Sequence, residues 1–283
     1  MIKDILVHVP TERPARPVID APISIAAGFG AHLDAMAVGY IKARTAFVGA
    51  GVAVGAGAAV GTVFEAEREQ AVQRTAAALA VFEAEARNAG IAYQCLSIED
   101  GPADASASIG AAARLYDLTV VLQPETARDT FDNTTPIEIL LQAGGPVLFV
   151  PHIFHGAFKA KRIGVCWDGS RLAARALKDA QPFLAQAEKL YAISINGPDS
   201  VPADASTDKL AKHVGREGLS IKMIDLPASR SEIQPSILSL AADESLDMLV
   251  MGAYGHSRLQ EGILGGVTRE MLRTMTVPTL MSH

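Results

Sequence analysis

Two short stretches hold residue types that could recognise a charged small molecule. Asp168-Gly169-Ser170 follows an apolar run, and its carboxylate could accept a hydrogen bond from a base amine or a ribose hydroxyl. Gly252-x2-Gly255-x9-Gly265-Gly266-Val267-Thr268 follows a second apolar run and leads into a helical pattern. Glycines at a strand end let backbone N–H groups approach a ligand with no Cβ in the way. A helix starting there adds free N–H groups and the positive end of its dipole, which together cradle a phosphate. The chemistry implied is binding rather than turnover. No phosphate-loop lysine, no evident Mg²⁺-binding acidic pair and no nucleophile with an oriented base accompanies the glycines, so no catalytic residue is expected. His256 and Ser257 are adjacent in sequence, which is not a catalytic geometry, and His256 reads as a neighbour of the phosphate or ribose. His152-x2-His155 lacks a cysteine or carboxylate at ligand spacing and reads as part of a linker, so no metal site is expected. Cys95 and Cys166 lie in runs that read as core, and Trp167 reads as packing beside Asp168.

The elements that must hold these residues come in two copies. Lys3-Asp4-Ile5-Leu6-Val7 matches Lys161-Arg162-Ile163-Gly164-Val165 in shape. Asp117-Leu118-Thr119-Val120-Val121 matches Asp247-Met248-Leu249-Val250-Met251, and Gly145-Pro146-Val147-Leu148 matches Val277-Pro278-Thr279-Leu280. Three matches in one order indicate a duplicated unit, with the joint at the breaker-rich Pro151–Gly156. The copies are therefore expected at 1–151 and 157–283, the first carrying a Gly/Ala-rich insertion about 42–62. In the second copy, strands are expected near 161–167, 189–195, 219–225, 246–252 and 278–282. Helices at 170–186, 205–217, 231–244 and 265–275 alternate with them, Pro182 making the end of the first doubtful. Five strands recur in the first copy, near 3–9, 33–41, 91–98, 117–122 and 146–150. This alternation predicts an α/β fold of two tandem doubly wound, five-stranded parallel-sheet domains, Rossmann-like in architecture. Ligands of such sheets sit beyond the strand carboxyl ends where the winding reverses, which means after strands 1 and 4 of a copy. Asp168 and the 252–268 glycines occupy those two places.

The chain has 283 residues, 49% hydrophobic, with 25 Lys+Arg against 31 Asp+Glu and a net charge of −6. That is enough apolar content for real cores and excludes overall disorder. An acidic balance without a Lys/Arg run argues against nucleic acid as a partner. Two cysteines are too few for a disulfide framework, and the charged N-terminus does not read as a signal peptide, so a cytoplasmic location is expected. The uncharged stretch 46–61 is shorter than the ~20 residues that span a bilayer and lacks a GK[ST] ending. It reads as a loosely packed insertion, with no membrane partner.

The spacing Gly252-x2-Gly255-x9-Gly265, the preceding LDMLVMG, the closing VPTLMSH and Asp168-Gly169-Ser170 after IGVCW resemble the universal stress protein family. The resemblance covers nearly the whole chain as a tandem pair and implies a stress-response protein that binds an adenine nucleotide (ATP, ADP or AMP, with or without Mg²⁺). It implies that Asp168 and Ile195 contact adenine, and that Gly252 and Gly255 line the ribose and phosphate turn. Gly265, Gly266 and Val267 would offer amides to phosphate, and Thr268 a hydroxyl. One departure stands out: Gly266 occupies a position usually held by Ser or Thr, which removes one hydroxyl-phosphate bond. The first copy departs further, with no aspartate after His8-Val9-Pro10-Thr11 and no glycine pair after Gln123-Pro124-Glu125. Glu125 and Asp129 would repel phosphate, so this copy reads as a structural partner that binds no nucleotide. Pairing of the copies along their fifth strands would give an intrachain pseudo-dimer; a homodimer of chains stays open. A slow ATPase and a ligand-free interaction module with a vestigial site remain the alternatives.

Overall fold

A computed structural model describes residues 1–42, 57–125, 129–254 and 266–283. In the first half, β1 (Asp4–Val9), β2 (His32–Tyr40), β3 (Tyr93–Asp100), β4 (Leu118–Leu122) and β5 (Val147–Val150) alternate with helices. These are α1 (Arg16–Phe29), α2 (Gly57–Ala89), α3 (Pro102–Ala112) and α4 (Thr135–Gln142). The second half repeats the plan with β6 (Arg162–Cys166), β7 (Lys189–Ile195), β8 (Ile221–Leu226), β9 (Met248–Gly252) and β10 (Thr279–Ser282). Its helices are α5 (Arg171–Asp179), α6 (Thr207–Arg216), α7 (Ile233–Asp243) and α8 (Gly266–Thr274).

Among the described residues, ten strands form one sheet in the order β3-β2-β1-β4-β5-β10-β9-β6-β7-β8. Every pairing within a half is parallel, and the single antiparallel ladder, β5 on β10, joins the halves with Thr279 opposite Phe149 and Met281 opposite Val147. The fifth strands thus close each other's edges, as the repeat predicts, and leave β3 and β8 as the outer edges.

Strands buried on both faces need apolar residues at successive positions, and β1 has them. Ile5, Val7 and Val9 enter one core layer while Leu6 enters the other. The first layer packs under α1, α2, α5 and α6 through Ile19, Phe82, Leu177 and Val214. The second packs under α3, α4, α7 and α8 through Ile109, Ile139, Ile237 and Met271. Each half is therefore wound on both faces, and its winding reverses between its first and fourth strands.

Two expectations shift. The helix predicted over 170–186 breaks into α5 and a short turn, Gln181–Leu184. Pro182 has no N–H to give the carbonyl four residues earlier, so the ladder stops ahead of it. Helix occupies the end of the stretch 42–62 that was expected to be a loosely packed insertion. Residues 43–56 lie outside the described residues, but helix α2 already begins at Gly57. The Ala-containing run there continues in register into Glu65–Arg74, and alanine is the strongest helix former. The charged stretch is largely solvated as expected, although Arg74 Nη2 reaches back to the Tyr40 carbonyl at 3.2 Å. Among the described residues no helix is long and apolar enough to cross a membrane.

Candidate functional site

Because β6 and β9 are paired and parallel, with Val165 opposite Val250, the chain leaves both strands at the same end of the sheet. Asp168 and Gly252–Tyr254 therefore lie at the same end of the sheet, at the switch point between neighbouring strands. Trp167 extends β6 by donating its amide to the Ile193 carbonyl at 2.8 Å. Its indole Nε1 donates to the Ala205 carbonyl at 2.8 Å, which ties down the strap Val201–Ala205. That strap lies over Gly169. A Cβ there would meet Pro202 Cδ at 2.9 Å and Ala205 Cβ at 3.1 Å, and φ is +70°, so the position suits only glycine. Asp168 itself is exposed. Its Oδ1 accepts the Ser170 amide at 2.9 Å, while Oδ2 has no partner among the described residues. Ser170 caps α5, its Oγ accepting the Ala173 amide at 3.1 Å.

Across the switch point, Gly252 is bare for a reason that the motif does not show. A Cβ on it would stand 2.7 Å from the Leu172 carbonyl carbon and from the Ala173 nitrogen, so α5 rests directly on the end of β9. Tyr254 follows at φ +56°, and its amide donates to Thr268 Oγ1 at 3.4 Å. Thr268 is buried, 5% exposed, so its hydroxyl braces the start of the glycine turn. Gly266 and Val267 open α8. Gly266 is exposed with nothing within 4 Å of where a Cβ would stand. The first amides of a helix have no intrahelical acceptor, so this end can present N–H groups to an anion. Ile195 and Val267 pack half-buried against the same core layer. Gly255, His256 and Gly265 lie outside the described residues.

The Cys166 thiol is pushed up to about 12 by burial, with the Asp168 carboxylate adding to the shift, which keeps it a core thiol and not a nucleophile. Burial likewise raises Tyr254. Among the described residues no cluster of three or more His, Cys, Asp or Glu could hold a metal. The indole tie, the Ser170 cap and the Thr268 brace were not anticipated. A serine just ahead of a helical pattern could have marked the cap; the other two join residues too far apart in sequence to be read there.

With this geometry in place, likeness to known proteins is informative. Residues 159–283 match the universal stress protein family. The C-terminal half is a universal stress protein domain. Universal stress protein Slr1230 of Synechocystis is 24% identical over 142 residues, 48% of this chain and 46% of that protein, so the match spans about half the length of each. A universal stress protein from Archaeoglobus fulgidus superposes over 98% of this chain and 97% of its own, with TM-score 0.68 and 15% identity. A putative universal stress protein from Pseudomonas aeruginosa does so over 99% and 93%, with TM-score 0.60 and 15% identity. At these identities the two structures speak for the fold, and they do so for both halves. The first half thus shares the tandem universal stress protein architecture without the glycine turn of the second.

Proposed function

We propose that the C-terminal universal stress protein domain binds an adenine nucleotide at the end of β6 and β9, and that the chain serves as a cytoplasmic, nucleotide-responsive regulator in a stress response. What supports this reading is that β6 and β9 lie side by side and parallel, with the exposed Asp168 just after β6 and the start of α8 tied to the end of β9 through Tyr254 and Thr268. The residues fit such a ligand. Asp168 Oδ2, which has no partner among the described residues, would accept from the base amine or a ribose hydroxyl, and the first amides of α8 at the exposed Gly266 and at Val267 would serve the phosphates. Ile195 supplies an apolar wall on the same side of the sheet as Val267. A bound nucleotide would bring the phosphate charge, and Mg²⁺ where it accompanies the phosphates. The chain's own part is to orient the base and neutralise the phosphates. The reading is one of binding, with hydrolysis slow or absent.

Calorimetry on ligand-stripped protein tests the proposal. ATP, ADP or AMP at millimolar concentration should give a saturable signal. Asp168→Ala should weaken it roughly tenfold or more, the scale of one hydrogen bond to a charged group. No signal from any of the three would end this reading. Phosphate release faster than about 0.1 s⁻¹ would replace it with an enzymatic one.

A further inference from the structure

The corresponding crevice of the first half, after β1 and β4, is closed by side chains, and two of these are left incomplete. Asp132 comes from the turn Phe131–Asn133 ahead of α4 and is fully buried. Its Oδ2 accepts the Thr11 amide at 2.9 Å and the Glu12 amide at 2.6 Å. Glu12 Oε2 returns a bond by accepting the Phe131 amide at 2.8 Å, so the turn and the exit of β1 are stitched together in both directions. Among the described residues no donor meets Asp132 Oδ1 at hydrogen-bond geometry, although the Tyr40 hydroxyl lies near enough to the carboxylate to favour its charged form. Opposite it, at 3.9 Å, stands Nε2 of His8, which is 1% exposed and has no partner on either ring nitrogen. Buried polar atoms are nearly always satisfied, so two that face each other across a gap too wide for a hydrogen bond call for a reason.

We propose that His8 and Asp132 form a closed proton-binding site: on acidification the pair takes up one proton, held between Asp132 Oδ1 and His8 Nε2, and the gap closes.

The proton comes from solvent, forms one O–H bond on Oδ1 and is accepted by the imidazole lone pair. The pair goes from a net charge of −1 to neutral, and Oδ2 remains the acceptor for both amides. The charged groups around it place the proton on the carboxyl. Burial, and then the Arg13 guanidinium, hold His8 down to about 3, so an imidazolium is disfavoured. Burial raises Asp132 to about 6 against the opposing pull of the Glu12 amide and of Arg13. Glu12 adds to that rise, and the Tyr40 hydroxyl, which acts on the Asp132 carboxylate while also meeting Thr135 Oγ1 at 2.8 Å, opposes it. Farther out, Lys42 offsets Glu12 at 3.3 Å, and Arg74 donates to the Tyr40 carbonyl. In acid the proton bonds the turn ahead of α4 to β1 itself, in addition to the loop that follows β1.

Carbon and nitrogen NMR of the wild-type chain between pH 8 and pH 5 tests this without any substitution. The Asp132 carboxyl signal should titrate with a midpoint near 6, while the His8 ring stays neutral and its Nε2 shift moves in step with that carboxyl. Asp132→Asn should remove the His8 response. A flat Asp132 carboxyl across this range would overturn the proposal. So would a His8 ring that becomes imidazolium near its ordinary value, or a His8 response that survives in Asp132→Asn.

Discussion

Two crevices stand at equivalent places in one duplicated sheet, and they differ in what faces inward. In the second, Asp168 points to solvent, and backbone is exposed at Gly266. In the first, Asp132 is buried and its carboxylate consumes the amides of Thr11 and Glu12 from within the chain. The stitching continues outward. Arg13 Nη1 donates to the Gln123 carbonyl at 2.9 Å, and Asn133 exchanges hydrogen bonds with the backbone of Glu125. Gln123 Nε2 in turn reaches the Leu272 carbonyl on α8 of the other half at 3.0 Å. A doubly wound sheet guarantees a crevice at its switch point but not a vacancy. The side chains delivered by the loops after strands 1 and 4 decide whether the polar backbone there is satisfied by the protein or left for a ligand.

The largest effect that separates the two is on stability. Asp132→Ala removes the acceptor of the half-buried Thr11 and Glu12 amides, at up to about 1–3 kcal/mol for each donor that water does not reach. Asp168→Ala removes an exposed carboxylate and should stay within about 0.5 kcal/mol of wild type. Urea unfolding of the two variants measures this. If Asp168→Ala were the more damaging, the assignment of one carboxylate to structure and the other to ligand would be reversed.

A smaller contrast lies in binding. Nucleotide affinity should fall roughly tenfold or more in Asp168→Ala and be unchanged, within about twofold, in Pro124→Gly, because the first crevice stays shut by Asp132 whatever follows β4. Trp167 is the single tryptophan and stands one residue from Asp168. Its fluorescence should therefore change on nucleotide addition with the same midpoint that calorimetry gives. Trp167→Phe, which keeps the ring packing but drops the bond to Ala205, should cost about 1 kcal/mol of stability and loosen the strap over Gly169.

How far these contrasts could be read in the sequence follows from the distance over which each one acts. The alternation of strands and helices and the duplication are local patterns, and they are legible as such. The bareness of Gly252 was read as room for a ligand turn; in the fold it is room for Leu172 and Ala173, eighty residues earlier in the chain, which no spacing rule reports. The sequence offers Thr268 as a hydroxyl for phosphate; the fold adds that it is buried and that its Oγ1 accepts the Tyr254 amide. Asp132 was passed over altogether. Its partners lie 121 and 120 residues away, and an aspartate just ahead of a Thr-Pro helix start looks like any turn residue. The absence of an aspartate after β1 was visible; its replacement by one arriving from the far side of the crevice was not.

The smallest expected effect is a near-absence, and it is the most specific to the first crevice. An aspartate raised to about 6 when folded, against 3.8 when free, makes the folded state gain relative stability as pH falls from 6 to 3.8. A histidine lowered to about 3 from 6.5 does the opposite, costing stability as pH falls from 6.5 toward 3. Between about pH 6 and pH 4 the unfolded chain carries one proton on His8 and the folded chain one on Asp132, so the two contributions cancel and the pair adds almost no slope. Removing either partner should uncover the other. Relative to wild type, His8→Gln should gain stability on acidification through this window and Asp132→Asn should lose it, each by up to about 1.4 kcal/mol per pH unit. Urea midpoints at a few pH values for the three proteins would show slopes of opposite sign on either side of the wild type. Two variants that deviate in the same direction would mean that one of the two groups is not shifted as stated, and that the folded first crevice does not carry its proton on Asp132.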